Sequence, residues 1–128
     1  MTMATESPYA ALKRLFHEPS RMAIVTVLCG REEGCTFNEL KTACTLTDGN
    51  LNRHLKALAD AGAVEIKKVT RASRYCTRVK VTSAGRYQFI DYLRSLEEVL
   101  RHASRSLAAQ DGRQEQKEWP WPVVAAGQ

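Results

Sequence analysis

The sequence predicts a mainly α-helical domain with one small β-hairpin and a long final helix, on three observations. Thr47 to Gly62 repeats leucine at helical spacing between a capping threonine and a terminal glycine. Val64 to Val81 twice alternates apolar with polar residues around a polar tip. From Phe89 to Leu107, apolar residues recur in alternating steps of four and three.

Taken in order, Met1 to Ser7 is small and polar and is expected to be a disordered leader. Pro8 suits a first helical position, and Tyr9, Leu12, Leu15 and Phe16 follow at helical spacing, predicting a helix to about His17. Pro19 opens a second helix whose Met22, Ala23, Ile24, Val25, Val27 and Leu28 are apolar on most sides, so it is expected in the core, ending at Gly30. Arg31 to Cys35 reads as a polar connector. Thr36 then caps a short helix with Phe37, Leu40 and Ala43 on one side. Thr45 and Leu46 turn the chain into the Thr47–Gly62 helix, and two short helices joined so tightly form a helix-turn-helix.

After Gly62, Val64 to Val69 and Tyr75 to Val81 predict a hairpin with its tip at Thr70 to Arg74. Each strand is expected to bury one face, through Val64 and Ile66 on one and Val79 and Val81 on the other. Thr82 caps a final helix running to roughly Ala109, about 40 Å at 1.5 Å per residue and too long for so small a domain to cover. A second copy of the chain is the expected cover along Phe89, Leu93, Leu96, Leu100, Ala103 and Leu107, with Tyr9 and Leu12 of the first helix alongside; the competing reading is contact with that first helix alone. Beyond it, Gln110 to Gln128 carries Trp119-Pro120-Trp121-Pro122, where two prolines forbid a helix, and is expected to be a flexible tail. The expected divisions are thus a leader at 1–7, a winged helix-turn-helix domain at 8–82, a dimerisation helix at 83–109 and a tail at 110–128.

Charge narrows the function. Between Asn50 and Arg86 stand nine basic residues and two acidic ones, so this segment carries +7 and the rest of the 128-residue chain −2. Such an excess implies a polyanionic partner, although charged edge strands also deter aggregation and explain part of it. On the Thr47 helix, Leu51, Leu55 and Leu58 form the inner stripe. Gly49, Asn50, Arg53 and Lys56 point away from it, with Asn52 and His54 on the flanks. Arg suits guanine, Asn suits adenine and Lys suits phosphate, so the outer face can read duplex DNA; the plainer alternative is a solvated surface helix. Base readout is expected from Asn50, Asn52 and Arg53, and phosphate contacts from Lys56, Lys67, Lys68, Arg71 and Arg74, with His54 offered as a further phosphate contact.

Other chemistry finds little footing. The chain contains no GxxxxGK loop or GxSxG elbow, and no Cys paired in sequence with a His, so no enzyme is expected. His17, His54 and His102 lack metal-ligand spacing, and Cys29, Cys35, Cys44 and Cys76 form no CxxC pair, so neither metal nor cofactor is expected. Cys35, read as a loop residue, is the one cysteine offered as a redox sensor; Cys29 and Cys44 are expected to be packed and inert. Tyr9, Phe16, Tyr87 and Phe89 lie where a small apolar effector would enter between the first and last helices, and they serve equally as core, the preferred reading. With neither a membrane-length apolar run nor a secretory leader, a cytoplasmic protein is expected.

The run Leu46-Thr47-Asp48-Gly49-Asn50-Leu51-Asn52-Arg53-His54-Leu55-Lys56-Ala57-Leu58, followed by Ala61-Gly62-Ala63-Val64 and closed by Val81-Thr82-Ser83-Ala84-Gly85-Arg86, resembles bacterial and archaeal winged-helix transcriptional regulators between the MarR and ArsR families. The resemblance covers about Phe16 to Leu100. It implies a homodimer that binds a double-stranded operator, with this helix in the major groove and the hairpin wing along the neighbouring minor groove. Those roles would fall to Asn50, Asn52, Arg53, Lys56, Arg71 and Arg74. Two features depart from the pattern: Glu39 to Cys44 supplies one thiol where metal-sensing relatives have a cysteine pair, and Thr70 to Arg74 has no Asp where MarR wings commonly do. A winged helix that binds another protein instead of DNA is the alternative from a different functional class.

Overall fold

The computed structural model describes residues 14–110. Its elements are α1 (Pro19–Cys29), β1 (Cys35–Thr36), α2 (Phe37–Cys44), α3 (Asp48–Asp60), β2 (Val64–Arg71), β3 (Arg74–Val81) and α4 (Ser83–Gln110). Helices and wing follow the expected order. The leader, most of the expected first helix with Tyr9 and Leu12, and the Trp-Pro tail lie outside the described residues. The described end of that first helix, 14–16, is a turn that delivers Phe16 to the core.

Local chemistry sets the helix ends. Glu18 caps α1 by accepting the Arg21 amide, with Pro19 at the first turn where its missing N–H leaves nothing unpaired. Thr36 and Glu39 form a reciprocal capping box on α2: the Glu39 amide donates to Thr36 Oγ1 at 3.1 Å, and the Thr36 amide donates to Glu39 Oε1 at 2.8 Å. The second of these bonds is the main reason the Glu39 carboxyl titrates below its ordinary range. Thr47 caps α3, and Gly62, at φ +78°, lets the chain leave it. Between α2 and α3 the left-handed position falls on Thr45, at φ 54°.

The sheet has the order β1-β3-β2, all antiparallel. Two points differ from the sequence reading. The connector expected to end at Cys35 closes in a short strand, with Cys35 paired to Val79 and fully buried. A two-residue strand is too short for alternation to reveal it. The hairpin tip is also tighter than expected: β2 and β3 pair as far as Arg71 and Arg74, and the turn is Ala72-Ser73, both with positive φ. This is the backbone of a two-residue hairpin turn, but without the Asn-Gly that usually announces one.

The core joins Phe16, Ile24, Val25, Leu28, Leu40, Leu51, Leu55, Leu58, Val64, Val79 and Phe89. Phe16 and Phe89 meet edge to face with ring centroids 5.2 Å apart, so the preferred core role holds for the two phenylalanines, whereas Tyr87, expected with them, is exposed. Of the face expected to be buried along β2, Val64 is inside, whereas Ile66 remains 41% exposed.

The start of α4 is tied to the end of α3. Thr82 Oγ1 donates to the Gly62 carbonyl at 2.7 Å and accepts the Gly85 amide at 2.9 Å, and the Thr82 amide donates to the Ala63 carbonyl. Gly85 then approaches Ala63 so closely that a Cβ would strike the Ala63 carbonyl. The chain divides into two compact units. One is Lys13–Ile90; the described part of the other is the second half of α4, from Asp91. Along that half Leu93, Leu96 and Leu100 are half-buried, Ala103 is exposed, and Leu107 is 67% exposed.

Candidate nucleic-acid interface

Helix α3 buries Leu51, His54, Leu55 and Leu58 and exposes Thr47, Asp48, Gly49, Asn50, Asn52, Arg53 and Lys56. The leucine spacing dictates this division, because residues three and four apart share a face and the intervening polar ones are forced outward. Thr47 Oγ1 accepts the Asn50 amide at 3.2 Å. The Asn50 side chain is in turn held by Arg53, whose Nη2 donates to Asn50 Oδ1 at 3.3 Å. Two of the three expected base readers therefore stand side by side in a set geometry. Lys56 reaches Asp60 at 3.4 Å; with both side chains largely in water this pair is weak and leaves the ammonium available to an anion. Lys41 meets Asp48 at 2.7 Å across the turn between α2 and α3, bracing the entry to α3.

His54 is the correction. Its ring does not stand on the flank but points inward, only 5% exposed, with Nδ1 accepting from Arg21 and Nε2 3.9 Å from Glu18 Oε2. One helical step from the leucine stripe was enough to bring it into the interior, and the phosphate contact expected of it is withdrawn.

The wing separates residues that sequence neighbourhood had joined. Alternation along a strand places Lys67 and Lys68 on opposite faces. Lys67 lies in register with Arg78 and within 3.6 Å of Glu65 Oε1, whereas Lys68 lies in register with Thr77, beside Tyr75. Arg71 and Arg74 form the last pair before the turn, and Arg74 is exposed. Not all of the positive charge is available for a partner. Arg78 donates to the Glu33 and Gly34 carbonyls, and Arg86 to the Cys29 carbonyl, so both spend donors within the fold.

Sequence reasoning missed a groove between α3 and the wing. Phe37, Asn52, Leu55, Lys56, Ile66 and Thr77 are among its lining residues, around about 400 Å³. Thr77 also lines a second hollow with Lys68, Tyr75 and Cys76. The available signal was an aromatic, Tyr75, in an otherwise polar part of β3.

Phe89, expected at the head of a seam between subunits, is instead buried in its own unit against Phe16. Cys35, expected in an exposed loop, is buried, and burial pushes its thiol above the ordinary range despite the lowering influence of Arg31 and Arg78. Burial likewise raises Cys29 and Cys44. Among the described residues no group of three or more His, Cys, Asp or Glu is arranged to hold a metal ion, and no helix is long and apolar enough to cross a membrane.

Known proteins share this fold. An uncharacterized protein of Methanocaldococcus jannaschii is 42% identical over 80 residues, spanning 62% of this chain and 86% of that protein. Among solved structures, a transcriptional regulator homologue protein from Pyrococcus horikoshii OT3 aligns with a TM-score of 0.68 at 29% identity, covering 74% of this chain and 94% of that one. The M. tuberculosis transcriptional regulator MOSR, solved in complex with DNA, shares the fold with a TM-score of 0.56 at 18% identity, over 88% of this chain and 74% of that one. The model of the winged helix DNA-binding domain matches residues 20–100, and the chain belongs to that family.

Proposed function

We propose that this protein is a cytoplasmic transcriptional regulator that binds double-stranded operator DNA as a homodimer. Helix α3 enters the major groove and the wing follows the flanking minor groove or backbone. The observation that carries this reading is the outer face of α3, where Asn50, Asn52, Arg53 and Lys56 are exposed together on a helix whose start is tied to α2 by Lys41 and Asp48 and whose Asn50 and Arg53 hold each other. The Pyrococcus horikoshii structure, described as a transcriptional regulator homologue, and the DNA-bound MOSR structure support it.

Asn50, Asn52 and Arg53 read base edges, while Thr47 and Gly49 border the backbone at the helix start. Lys56, Lys67, Lys68, Arg71 and Arg74 serve the phosphates. Leu93, Leu96, Leu100, Ala103 and Leu107 on the outer half of α4 form the seam between two copies; the exposed Leu107 supports that assignment. Pairing would set the two α3 helices about 34 Å apart, or a multiple of it, to match half-sites one duplex turn apart.

Anisotropy titration of genomic duplexes, selected by the protein from a mixed library, tests this. Arg53→Ala should cost about 1–3 kcal/mol and relax specificity at one position of the half-site, whereas Lys68→Ala should weaken all duplexes alike and lower the salt slope by about 1. An Arg53→Ala protein that binds selected and random duplex as the unaltered protein does would remove α3 from the role of reader. Weak, sequence-blind binding by the unaltered protein would favour an adaptor that recognises another protein.

A further inference from the structure

Two of the large apolar side chains left in water, Ile66 (41% exposed) and Tyr75 (82%), lie on one face of the wing. The register fixes this: Ile66, Lys68 and Thr70 of β2 stand opposite Val79, Thr77 and Tyr75 of β3, so all six share a side of the sheet. That side looks toward α3, because Ile66 and Thr77 line the groove whose other wall is Asn52, Leu55 and Lys56. Thr77 continues the groove into the hollow beside Lys68 and Tyr75. The result is one strip that runs from Leu55 past Ile66 and the Lys68–Thr77 pair to Tyr75, with Lys56 and the Asp60 carboxylate it meets at one end and the Lys68 ammonium midway along it.

A strip of that composition matches one polymer chemistry. The deoxyribose units of a duplex strand present C–H surface, and its phosphates present a negative charge at every step, so the strip's apolar side chains and its two ammonium groups are satisfied together, the exposed and weak Lys56–Asp60 pair giving way to phosphate. We propose that the strip from Lys56 to Tyr75 holds the sugar–phosphate backbone of one strand of the duplex, and that Tyr75 is a DNA-contacting residue whose ring packs on deoxyribose. The inference rests on the placement of α3 in the major groove and extends it, since it states where the strand bordering that groove runs.

Tyr75 is neutral and Lys68 is charged, so the two contacts differ in their response to salt. Tyr75→Ala should weaken duplex binding roughly tenfold and leave the salt slope unchanged, because no counterion is released at a neutral side chain. Tyr75→Phe keeps the ring and should bind as the unaltered protein does. Lys68→Ala should reduce the slope by about 0.9. In the unaltered protein, saturating duplex should protect Tyr75 from nitration by tetranitromethane while Tyr87, also exposed, remains reactive; this readout does not depend on how any variant folds. If Arg53→Ala loses affinity while Tyr75→Ala does not and Tyr75 nitrates equally with and without duplex, the strip is wrong and the α3 reading stands. If Arg53→Ala also binds normally, the α3 reading itself has failed.

Discussion

Arg21 donates its Nε–H to Nδ1 of His54 at 3.3 Å, joining α1 to the inner face of α3. Arg21 also donates from Nη1 to the Leu15 carbonyl at 3.2 Å, and Glu18, which caps α1, lies on the other side of the imidazole. A nitrogen that accepts from a guanidinium must be unprotonated, so the bond assigns the imidazole proton to Nε2, facing the carboxylate. The helix that presents Asn50 and Arg53 is thereby set against the core by a polar contact as well as by leucines.

Truncating the ring leaves Arg21 without its acceptor and opens space in a packed interior. His54→Ala should therefore destabilise the protein by about 1–3 kcal/mol, measured by urea unfolding. Under conditions where the fold is intact, its duplex affinity should fall less than that of Arg53→Ala. A His54→Ala protein of unchanged stability but lost affinity would return the ring to the DNA surface.

A glycine in a helix is ordinarily a weak point that alanine improves by about 1 kcal/mol. Gly85 should behave in the opposite way. Its approach to the Ala63 carbonyl leaves no room for a methyl group, and Thr82 fixes both segments. Gly85→Ala should lower stability by about 1–3 kcal/mol by forcing α4 away from the end of α3, readable as a lower urea midpoint.

The helices were legible in the sequence because their signals are local. Thr36, Thr47 and Thr82 cap where expected, and Leu51, Leu55 and Leu58 face inward as their spacing requires. What escaped depends on long-range pairing. Cys35 becomes strand and core through Val79, 44 residues away, and no property of Cys35 itself announces that partner. His54 sits at the border of the apolar stripe, where a turn of the side chain decides between water and core, and the decision lies with Arg21 and Glu18 on another helix. Lys67 and Lys68 are neighbours in sequence and opposites in space, which alternation implies once the strand is known to continue through them. The groove between α3 and the wing required the register of β2 on β3.

The placement of Cys35 bears on redox behaviour. A thiol held protonated by burial is a poor nucleophile, since the thiolate is the reactive form. Iodoacetamide at neutral pH should leave Cys35 unmodified in the native protein and modify it in urea, as mass spectrometry of peptides would show. Mild peroxide should leave duplex affinity unaltered. Rapid native labelling of Cys35 would contradict the buried strand.

The α2 capping box gives a defined acid response. The folded-state pKa of Glu39 lies below its unfolded value, chiefly because the ionised carboxylate accepts the Thr36 amide. Its contribution is thus fully present above the unfolded carboxylate pKa, about 4.3, and is lost as pH falls from there through the depressed folded value. Glu39→Gln should flatten this part of the stability profile and leave the slope near neutral pH unchanged. An unchanged acid limb in the variant would show that the bond does not favour the ionised form.

The central claim, that the polar side of α3 lies against duplex DNA, is tested most directly by amide chemical shifts of the isotopically labelled protein during titration with a selected operator duplex. The account predicts the largest shifts from Thr47 to Lys56, with a second group in the wing around Lys68 and Arg74. Shifts absent from that helix, or confined to the outer half of α4, would contradict it.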